Sequence, residues 1–397
     1  MAITDKEQGV WELEGVYNKS MEGYWNYSAP DDPGNLFSWG YGSAGQLGLN
    51  SRTNYSSPVL LSGGWDSVYA FASGEGSSGG VKTDGTLWVW GFNNNGLSGQ
   101  NYSSPNRISS PVQIPGTTWS SAAKSMRTGN YHTAALKTNG TLWTWGSNSE
   151  GQLGQNNATS YSSPTQVGTD TTWALGEMKF AMGAGKKMMA IKTNGTLWTW
   201  GTQDYGGLGH NQANQTYSSP KQVGTDTTWS KITQWGGGGL AIKTDGTLWS
   251  WGSGDYGAHG HNNRTNYSSP KQLGTATNWT QVNATSAGVM KALNSSGELW
   301  SWGYNSFGFA GTNVSVHLSS PTQVGTDTTW ANIQGCSGSL ARVTKTDGTL
   351  WLWGRNSFGG AIAGANSNQH RSSPVQTPGT NWGTIGGTNY GVMALTT

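Results

Sequence analysis

Short apolar runs separated by polar turn residues recur along the chain. In one representative stretch, Ala241-Ile242-Lys243 and Leu248-Trp249-Ser250-Trp251 flank Thr244-Asp245-Gly246-Thr247. Asp-Gly between two β-prone runs is a strong hairpin signal, because both central residues of the turn need positive φ. The same turn recurs at Asp84-Gly85, Asn139-Gly140, Asn194-Gly195 and Asp347-Gly348, and as Ser296-Gly297. The pattern predicts a chain built from antiparallel β-hairpins.

A longer repeat contains these hairpins. Trp-Gly recurs seven times at intervals of 51 or 55 residues, and six of the copies read Leu-Trp-x-Trp-Gly. Each copy is followed by a Ser-Ser-Pro and then by a further Trp. Repeated units with several short strands are typical of propeller blades. We therefore predict an all-β, seven-bladed β-propeller. The Trp-Gly tryptophans, expected in its core, are Trp39, Trp90, Trp145, Trp200, Trp251, Trp302 and Trp353.

The two ends of the chain carry complementary halves of one hairpin. Aligning Trp382 with Trp229 places Thr397 just before the hairpin turn, so the partner strand is missing at the C-terminus. That strand is present at the N-terminus, where residues 34–39 match residues 246–251. We predict that the first and last strands pair and close the ring, which removes an open sheet edge. The predicted organisation is an N-terminal arm, residues 1–33, and a propeller, residues 34–397.

The repeat resembles that of a known family. Residues 129–154 read Gly-x-x-His-Thr-Ala-Ala-Leu-Lys-Thr-Asn-Gly-Thr-Leu-Trp-Thr-Trp-Gly-x-Asn-x-x-Gly-Gln-Leu-Gly, which is similar to the repeat of the regulator of chromosome condensation family. The resemblance covers residues 34–397 and implies a seven-bladed propeller. It leaves function open, because the family includes exchange factors, photoreceptors and scaffolds.

The N-terminal arm carries a net charge of −5, with seven Asp and Glu against two Lys, which contradicts chromatin binding. Part of the arm resembles a short connector segment in structural proteins of tailed bacteriophages. Its large apolar residues are the candidate anchor to a virion partner: Trp11, Leu13, Tyr17 and Trp25. The alternative is an arm that folds back on the propeller.

Composition excludes several classes of protein. Gly accounts for 62 of 397 residues and Trp for 23, whereas charged residues make up only 11% and the net charge is +2. This balance does not favour nucleic acid as a partner. No apolar stretch approaches the length of a membrane span, and the N-terminus shows no signal peptide. A single cysteine, Cys336, excludes intrachain disulfides and a cysteine-based metal site.

No catalytic constellation stands out, and we expect neither enzymatic activity nor a cofactor. His259-Gly260-His261 is the one close histidine pair, and a metal site there is disfavoured because only Asp255 lies nearby. Basic residues cluster in the longer segments of two neighbouring repeats, and form a candidate patch for an anionic ligand. They are Lys124, Arg127, Lys179, Lys186 and Lys187. The alternative for this patch is solvated loop charge.

Together these features favour a non-enzymatic virion protein of the tail-fibre, spike or decoration type. It would be made in the host cytoplasm and displayed on a phage particle through the arm. The expected partners are other virion proteins and a host-surface glycan or receptor, without nucleic acid or membrane insertion. The sequence leaves open whether the protein forms a homo-oligomer. The alternative is an intracellular propeller scaffold or exchange-factor-like protein.

Overall fold

The structure is a computed structural model. It describes thirteen stretches of the chain, and every structural statement below refers to them. They are residues 35–70, 76–101, 107–122, 125–129, 131–182, 186–202, 204–285, 287–333, 340–355, 370–377, 379–380, 382–386 and 391–396.

In the described residues, the strands form seven four-stranded antiparallel sheets, the blades. Blade 1 contains β3 (Trp65–Ala70), β4 (Ser77–Lys82), β5 (Leu87–Phe92) and β6 (Arg107–Ile114); blade 2 contains β7 (Met126–Thr128), β8 (His132–Leu136), β9 (Leu142–Gly146) and β10 (Tyr161–Gln166); blade 3 contains β11 (Phe180–Met182), β12 (Lys187–Ile191), β13 (Leu197–Thr202) and β14 (Thr216–Gln222). Blade 4 contains β15 (Trp229–Gln234), β16 (Gly238–Lys243), β17 (Leu248–Gly252) and β18 (Tyr267–Gln272); blade 5 contains β19 (Trp279–Ala284), β20 (Val289–Asn294), β21 (Leu299–Gly303) and β22 (Leu318–Gln323); blade 6 contains β23 (Trp330–Ile333), β24 (Leu340–Lys345), β25 (Leu350–Gly354) and β26 (Arg371–Gln376). Blade 7 combines both ends of the chain: β27 (Trp382–Gly386), β28 (Gly391–Thr396), β1 (Leu36–Gly40) and β2 (Tyr55–Leu61).

Blades 1 to 6 are meanders whose strands follow chain order, and blade 7 has the order β27-β28-β1-β2. The first strands of neighbouring blades contact one another, so they lie nearest the axis of the ring. The fourth strand is the outer edge, and it carries the Ser-Ser-Pro proline at the position where a missing N–H costs least. We call the end of the ring with the connections between third and fourth strands the loop face. The opposite end, with the hairpin turns between second and third strands, is the turn face.

The predicted closure of the ring by the two termini is confirmed. β1 pairs with β28 in the register Leu36↔Leu395 to Gly40↔Gly391. β28 also pairs with β27 on its other side. The terminal strands therefore occupy the two central positions of blade 7, where every ladder bond is internal to the sheet.

Hairpin turns form at the predicted positions, but the expected positive φ at both residues of each pair is wrong, because among the described residues of these turns only the glycine has it. The N–H of Gly246 donates to the carbonyl of Lys243, so Thr244 and Asp245 are the central residues of that turn and Gly246 follows them. At the turn of blade 4, Gly246 has φ +76°, a conformation that favours glycine. The carboxylate of Asp245 accepts hydrogen bonds from the backbone N–H and the hydroxyl of Thr247, at 3.0 and 2.7 Å. The indole of Trp249 then donates to the Thr247 hydroxyl at 2.8 Å. Turn and tryptophan are thus fixed together by the local sequence.

The hydrophobic core lies between blades rather than within them. One cluster joins Ile191, Leu197 and Val223 of blade 3 to Trp229 and Trp251 of blade 4, and the other blade pairs repeat the arrangement. Each Trp-Gly tryptophan of blades 1–6 also donates its indole N–H to a backbone carbonyl in the loop of the preceding blade, at 2.9–3.1 Å. The tryptophan abundance is therefore architectural.

Regular helix is nearly absent from the described residues, which contain two single-turn 3₁₀ segments, Asn94–Gly96 and Asp255–Gly257. Within the same ranges no helix has the length and apolar character that crossing a bilayer requires.

Candidate functional site

The loops of the loop face are fastened to the next blade by a repeated contact. In six of these loops, all but that of blade 6, which lies outside the described residues, an asparagine in the left-handed region donates its backbone N–H to a serine carbonyl in the outer strand of the following blade. The pairs Asn211–Ser268 and Asn262–Ser319 have N···O distances of 2.8 and 2.7 Å. Side chains on these loops are therefore presented from a rigid frame, which lowers the entropic cost of binding.

Exposed apolar side chains concentrate on three consecutive loops of this face. Seven large hydrophobic residues are exposed in the described part of the chain, and four of them lie in the third-to-fourth-strand loops of blades 3, 4 and 5. We call these four the rim patch: Tyr205, Tyr256, Val314 and Val316, with exposed fractions of 55, 47, 43 and 65%. A concentration of exposed apolar side chains on neighbouring loops is typical of interaction sites.

Aromatic packing joins the loops of blades 4 and 5. The Tyr256 ring lies 5.1 Å from Tyr304 and 4.7 Å from His317, and Tyr304 stacks on His317 at 5.0 Å. Nδ1 of His317 accepts the backbone N–H of Asn305 at 3.0 Å. The Asn305 side chain donates to the carbonyls of Val314 and Val316, at 2.8 and 3.0 Å. The exposed residues of these two loops are held as one surface.

Two tyrosines of the rim patch have backbone conformations that bulky residues rarely adopt. Tyr205 has φ 54° and Tyr256 has φ 55°, and the residue in the same position of blade 1 is Asn95 at φ 58°. Asparagine tolerates the left-handed region, whereas an aromatic side chain there costs free energy. Such strain concentrates at functional sites. Both tyrosines belong to the same sequence, Asp-Tyr-Gly, in successive repeats. That repetition is a signal that analysis of the sequence missed.

The predicted basic patch is divided between buried and exposed environments. Arg127 in β7 and Lys187 in β12 are buried, at 8 and 2% exposure. Lys179 donates to the carbonyl of Ser230 in the next blade at 2.7 Å, and burial and the charge of Lys231 lower its pKa. Lys186 has a side chain that is 41% exposed and forms an ion pair with Glu150 at 2.9 Å. Lys124 lies outside the described residues. A ligand role for this group stays a prediction.

Lys187 is a buried cation at the loop-face end of blade 3. Its ammonium group lies beside Gly207, where a Cβ atom would approach Nζ to 2.6 Å. Burial lowers the pKa of Lys187 to about 8, against the opposing effect of the Asp204 carboxylate. Other blades carry valine or leucine at this position, in Val289 and Leu340, so an apolar side chain fits the site.

Replacing Lys187 by methionine is expected to stabilise the protein at neutral pH by about 1–3 kcal/mol. Because the pKa is lower in the folded state, the unfolded chain binds more protons between about pH 8 and 10.5. The destabilisation that the buried charge of Lys187 causes is therefore complete below that pH window and disappears as the pH rises through it. Chemical unfolding of K187M and wild type across this range measures the difference. A K187M protein that is less stable at neutral pH, or K186M with the same gain, would contradict the assignment.

The candidate arm residues Trp11, Leu13, Tyr17 and Trp25 lie outside the described residues, as does Cys336. Anchoring of the protein through the arm stays a prediction.

The histidine pair packs into the loop of blade 4. His259 and His261 have ring centroids 5.3 Å apart, and both contact Tyr267. Nε2 of His261 lies 3.1 Å from the Ser250 hydroxyl. Burial lowers the pKa of His261 to about 4, with the neighbouring His259 and Lys271 adding to the effect. Among the described residues no group of three or more His, Cys, Asp or Glu side chains is placed to hold a metal ion.

The repeat itself identifies the type of blade. The regulator of chromosome condensation (RCC1) repeat matches residues 33–79, 84–136, 139–174 and 245–289, and a second form of that repeat matches residues 124–152. This chain carries RCC1 repeats. The resemblance seen in the sequence is thereby confirmed for these residues, and the described sheets form seven four-stranded blades.

Proteins of quite different size carry a similar RCC1-repeat region. The E3 ubiquitin-protein ligase HERC2 of Mus musculus is 27% identical over 401 residues, which cover 90% of this chain and 8% of HERC2. This chain thus spans a small part of that relative. The mitochondrial RCC1 domain-containing protein RUG3 of Arabidopsis thaliana is 26% identical over 83% of this chain and 80% of RUG3.

A solved structure shows the same fold. Prp20p from Saccharomyces cerevisiae superposes with a TM-score of 0.74 and 18% identity, covering 94% of both chains. At that identity the likeness establishes the fold and leaves the function open.

Proposed function

We propose that this protein is a non-catalytic propeller scaffold that binds a protein partner through the rim patch on its loop face. The observation that carries the proposal is the concentration of Tyr205, Tyr256, Val314 and Val316 on three consecutive loops. Tyrosine is enriched among residues that dominate binding energy at interfaces. The loops are fixed to the next blades, so the surface is organised before binding.

Similar proteins support a binding role of this kind. The reported structure of Prp20p concerns its binding to Gsp1p and histones, which makes protein binding compatible with this fold. An exchange-factor-like activity would be a special case of the same role. The acidic arm argues against nucleic acid as the partner, since seven of its residues are Asp or Glu and would repel phosphate groups.

Display on a phage particle, which the sequence of residues 1–33 favours, finds no support in the comparisons. Those residues lie outside the described part of the chain. A host-surface glycan, neighbouring virion subunits and a homo-oligomer therefore stay predictions of the sequence.

Replacing Tyr205, Tyr256 and Val316 together by asparagine is expected to weaken partner binding and to leave the fold intact. Asparagine suits the left-handed backbone, as Asn95 shows at the equivalent position. Tagged wild type and variant would be expressed in the organism of origin, and the captured proteins quantified by mass spectrometry. We expect the captured amount of a set of proteins to fall at least about tenfold, which corresponds to a loss of about 1.4 kcal/mol of binding free energy.

The matched control replaces Leu60 and Leu175 by serine, two exposed apolar residues away from the rim patch. The control variant should unfold within about 0.5 kcal/mol of wild type, as surface substitutions usually do. The rim variant should stay cooperatively folded, since asparagine relieves the left-handed strain of both tyrosines. If the rim variant captures the same proteins as wild type, or the control loses them equally, the rim patch is not the interface.

A further inference from the structure

A lysine lies between two tryptophan rings on the turn face of five blades. One ring belongs to the tryptophan at or just before the first strand, and the other to the first tryptophan of Leu-Trp-x-Trp. Nζ lies 4.8–5.2 Å from the centroid of the former and 3.7–4.3 Å from that of the latter. These lysines are Lys82, Lys137, Lys192, Lys243 and Lys345. At such distances an ammonium group is attracted by the ring faces.

In blades 3, 4 and 6 an aspartate completes the arrangement. Asp170, Asp226 and Asp327 form ion pairs with Lys192, Lys243 and Lys345, and so neutralise the enclosed charge. Burial raises the pKa of Asp226, but hydrogen bonds from Lys243 and Thr228 outweigh that effect and lower it to about 2. The fold thus builds an ammonium-binding slot of two tryptophans and a carboxylate, and fills it with its own lysine.

Blade 5 keeps the tryptophans and loses the lysine. The Trp279 and Trp300 centroids are 6.1 Å apart at 81°, nearly the same as 6.0 Å and 78° for Trp229 and Trp249 in blade 4. The residue at the lysine position is Asn294, and Ala276 replaces the aspartate. Among the described residues no Lys or Arg lies over either ring of blade 5. The shape of the slot is therefore retained without its internal cation.

Three features distinguish this slot from the filled ones. Trp279 is partly exposed, whereas its counterparts Trp229 and Trp330 are 4% exposed. Nε1 of Trp300 is buried without a hydrogen-bond partner in the described structure, whereas the indole of Trp249 bonds Thr247. Glu298 stands where five other turns have threonine, and so adds a carboxylate to the hairpin turn that carries Trp300.

Asn294 does not take the place of the lysine. Its Nδ2 donates to a Glu298 oxygen at 2.6 Å, and its Oδ1 accepts the backbone N–H groups of Ser296 and Glu298, at 3.1 and 3.0 Å. The short amide is thereby held within its own turn, because all these partners belong to the same hairpin.

We propose that the slot formed by Trp279, Trp300 and Glu298 binds an alkylammonium group, the side chain of a lysine on a partner protein. Lysine fills the corresponding slot in five other blades, so this geometry is already matched to a primary ammonium on an alkyl chain. The carboxylate of Glu298 supplies the negative charge that Asp226 supplies in blade 4. The slot lies on the turn face, opposite the rim patch, so it is independent of the proposed scaffold interface.

The test follows the indole N–H signals of ¹⁵N-tryptophan-labelled full-length protein by NMR. The Trp300 signal is assigned with W300F, and the probes are Nα-acetyllysine amide and tetramethylammonium chloride, with sodium chloride at matched ionic strength. We expect a saturable shift of the Trp300 and Trp279 signals with the lysine probe, at a dissociation constant above about 1 mM because one cation–π site contributes little alone. A lysine probe that leaves both signals unchanged overturns the proposal, as does a response to tetramethylammonium alone.

Two matched variants define where the probe binds. N294K combined with A276D rebuilds the internal lysine and its aspartate, and is expected to weaken the response at least about fivefold. K243N removes the lysine of blade 4 while keeping Asp226. In that variant the indole signal of Trp249 should shift when the lysine probe is added. Equal responses of wild type and N294K/A276D would show that the probe binds elsewhere and would overturn the proposal.

Discussion

Deleting residues 391–397 is expected to cost at least about 5 kcal/mol of folding free energy, since each large buried side chain contributes about 1.5–3 kcal/mol. The deletion removes β28 and with it Val392, Met393 and Leu395, all buried. It also leaves β1 and β27 without their shared partner. A loss of this size is comparable to the whole stability of many domains. Urea unfolding followed by tryptophan fluorescence measures it.

Removing Thr397 alone is the control for this deletion, because it lies one residue beyond β28. That shorter protein should unfold at the wild-type midpoint. If the protein without residues 391–397 also melted within a degree or two of wild type, pairing of the two termini would not hold the ring together.

Trp251→Ala is expected to destabilise the protein by about 3–5 kcal/mol, the range for truncating a large buried aromatic side chain. Trp251 is fully buried between blades 3 and 4. Its ring fills the space above Gly239, where a Cβ atom would approach to 2.3 Å, so neighbouring side chains cannot close the cavity easily. Its indole also donates to the carbonyl of Gly207 at 3.1 Å, a contact that spans the two blades. Equilibrium unfolding measures the cost.

Two further substitutions separate the contribution of the Trp251 hydrogen bond from that of its packing. Trp251→Phe keeps an aromatic ring and removes the hydrogen bond, so it isolates a contribution of about 0.5–1.5 kcal/mol together with a smaller loss of packing. Trp249→Ala truncates a half-buried ring two residues away and should cost less than Trp251→Ala. A cost below about 1 kcal/mol for Trp251→Ala would contradict its placement in the core between blades.

The parts of the fold that the sequence predicts are those determined by local chemistry. The Asp-Gly pairs mark the turns correctly, although positive φ is confined to the glycine, as at Gly246 and Gly348, and does not extend to the aspartate. Ring closure was predictable because strand identity could be read from the repeat at both ends of the chain. The two termini carry complementary halves of one unit, and β1 and β28 pair accordingly.

Burial of charged residues was not predictable from their clustering. Lys187 lies in a longer repeat segment that reads as loop charge, yet it is 2% exposed. Its burial depends on Gly207, a residue in the connection between the third and fourth strands that has no side chain to occupy the same space. Lys179 likewise reaches the carbonyl of Ser230 in a different blade. Such contacts between repeats are set by packing around the ring, which sequence spacing does not encode.

The rim patch and the slot of blade 5 are both departures from the repeat. Tyr205 and Tyr256 stand where another blade has Asn95, and Asn294 stands where five blades have lysine. A position-by-position comparison of the repeats would have found these departures. The three-dimensional consequences, an exposed strained tyrosine and an uncovered tryptophan pair, needed the structure.

Hydrogen exchange of the propeller, with and without the partner captured by wild type, tests the proposed scaffold interface most directly. The account predicts slower exchange on binding in the third-to-fourth-strand loops of blades 3, 4 and 5, around Tyr205, Tyr256 and Val316. Amides of the hairpin turns on the opposite face should exchange at unchanged rates. Protection confined to other loops, or to the turn face, would contradict the assignment of the rim patch as the binding surface.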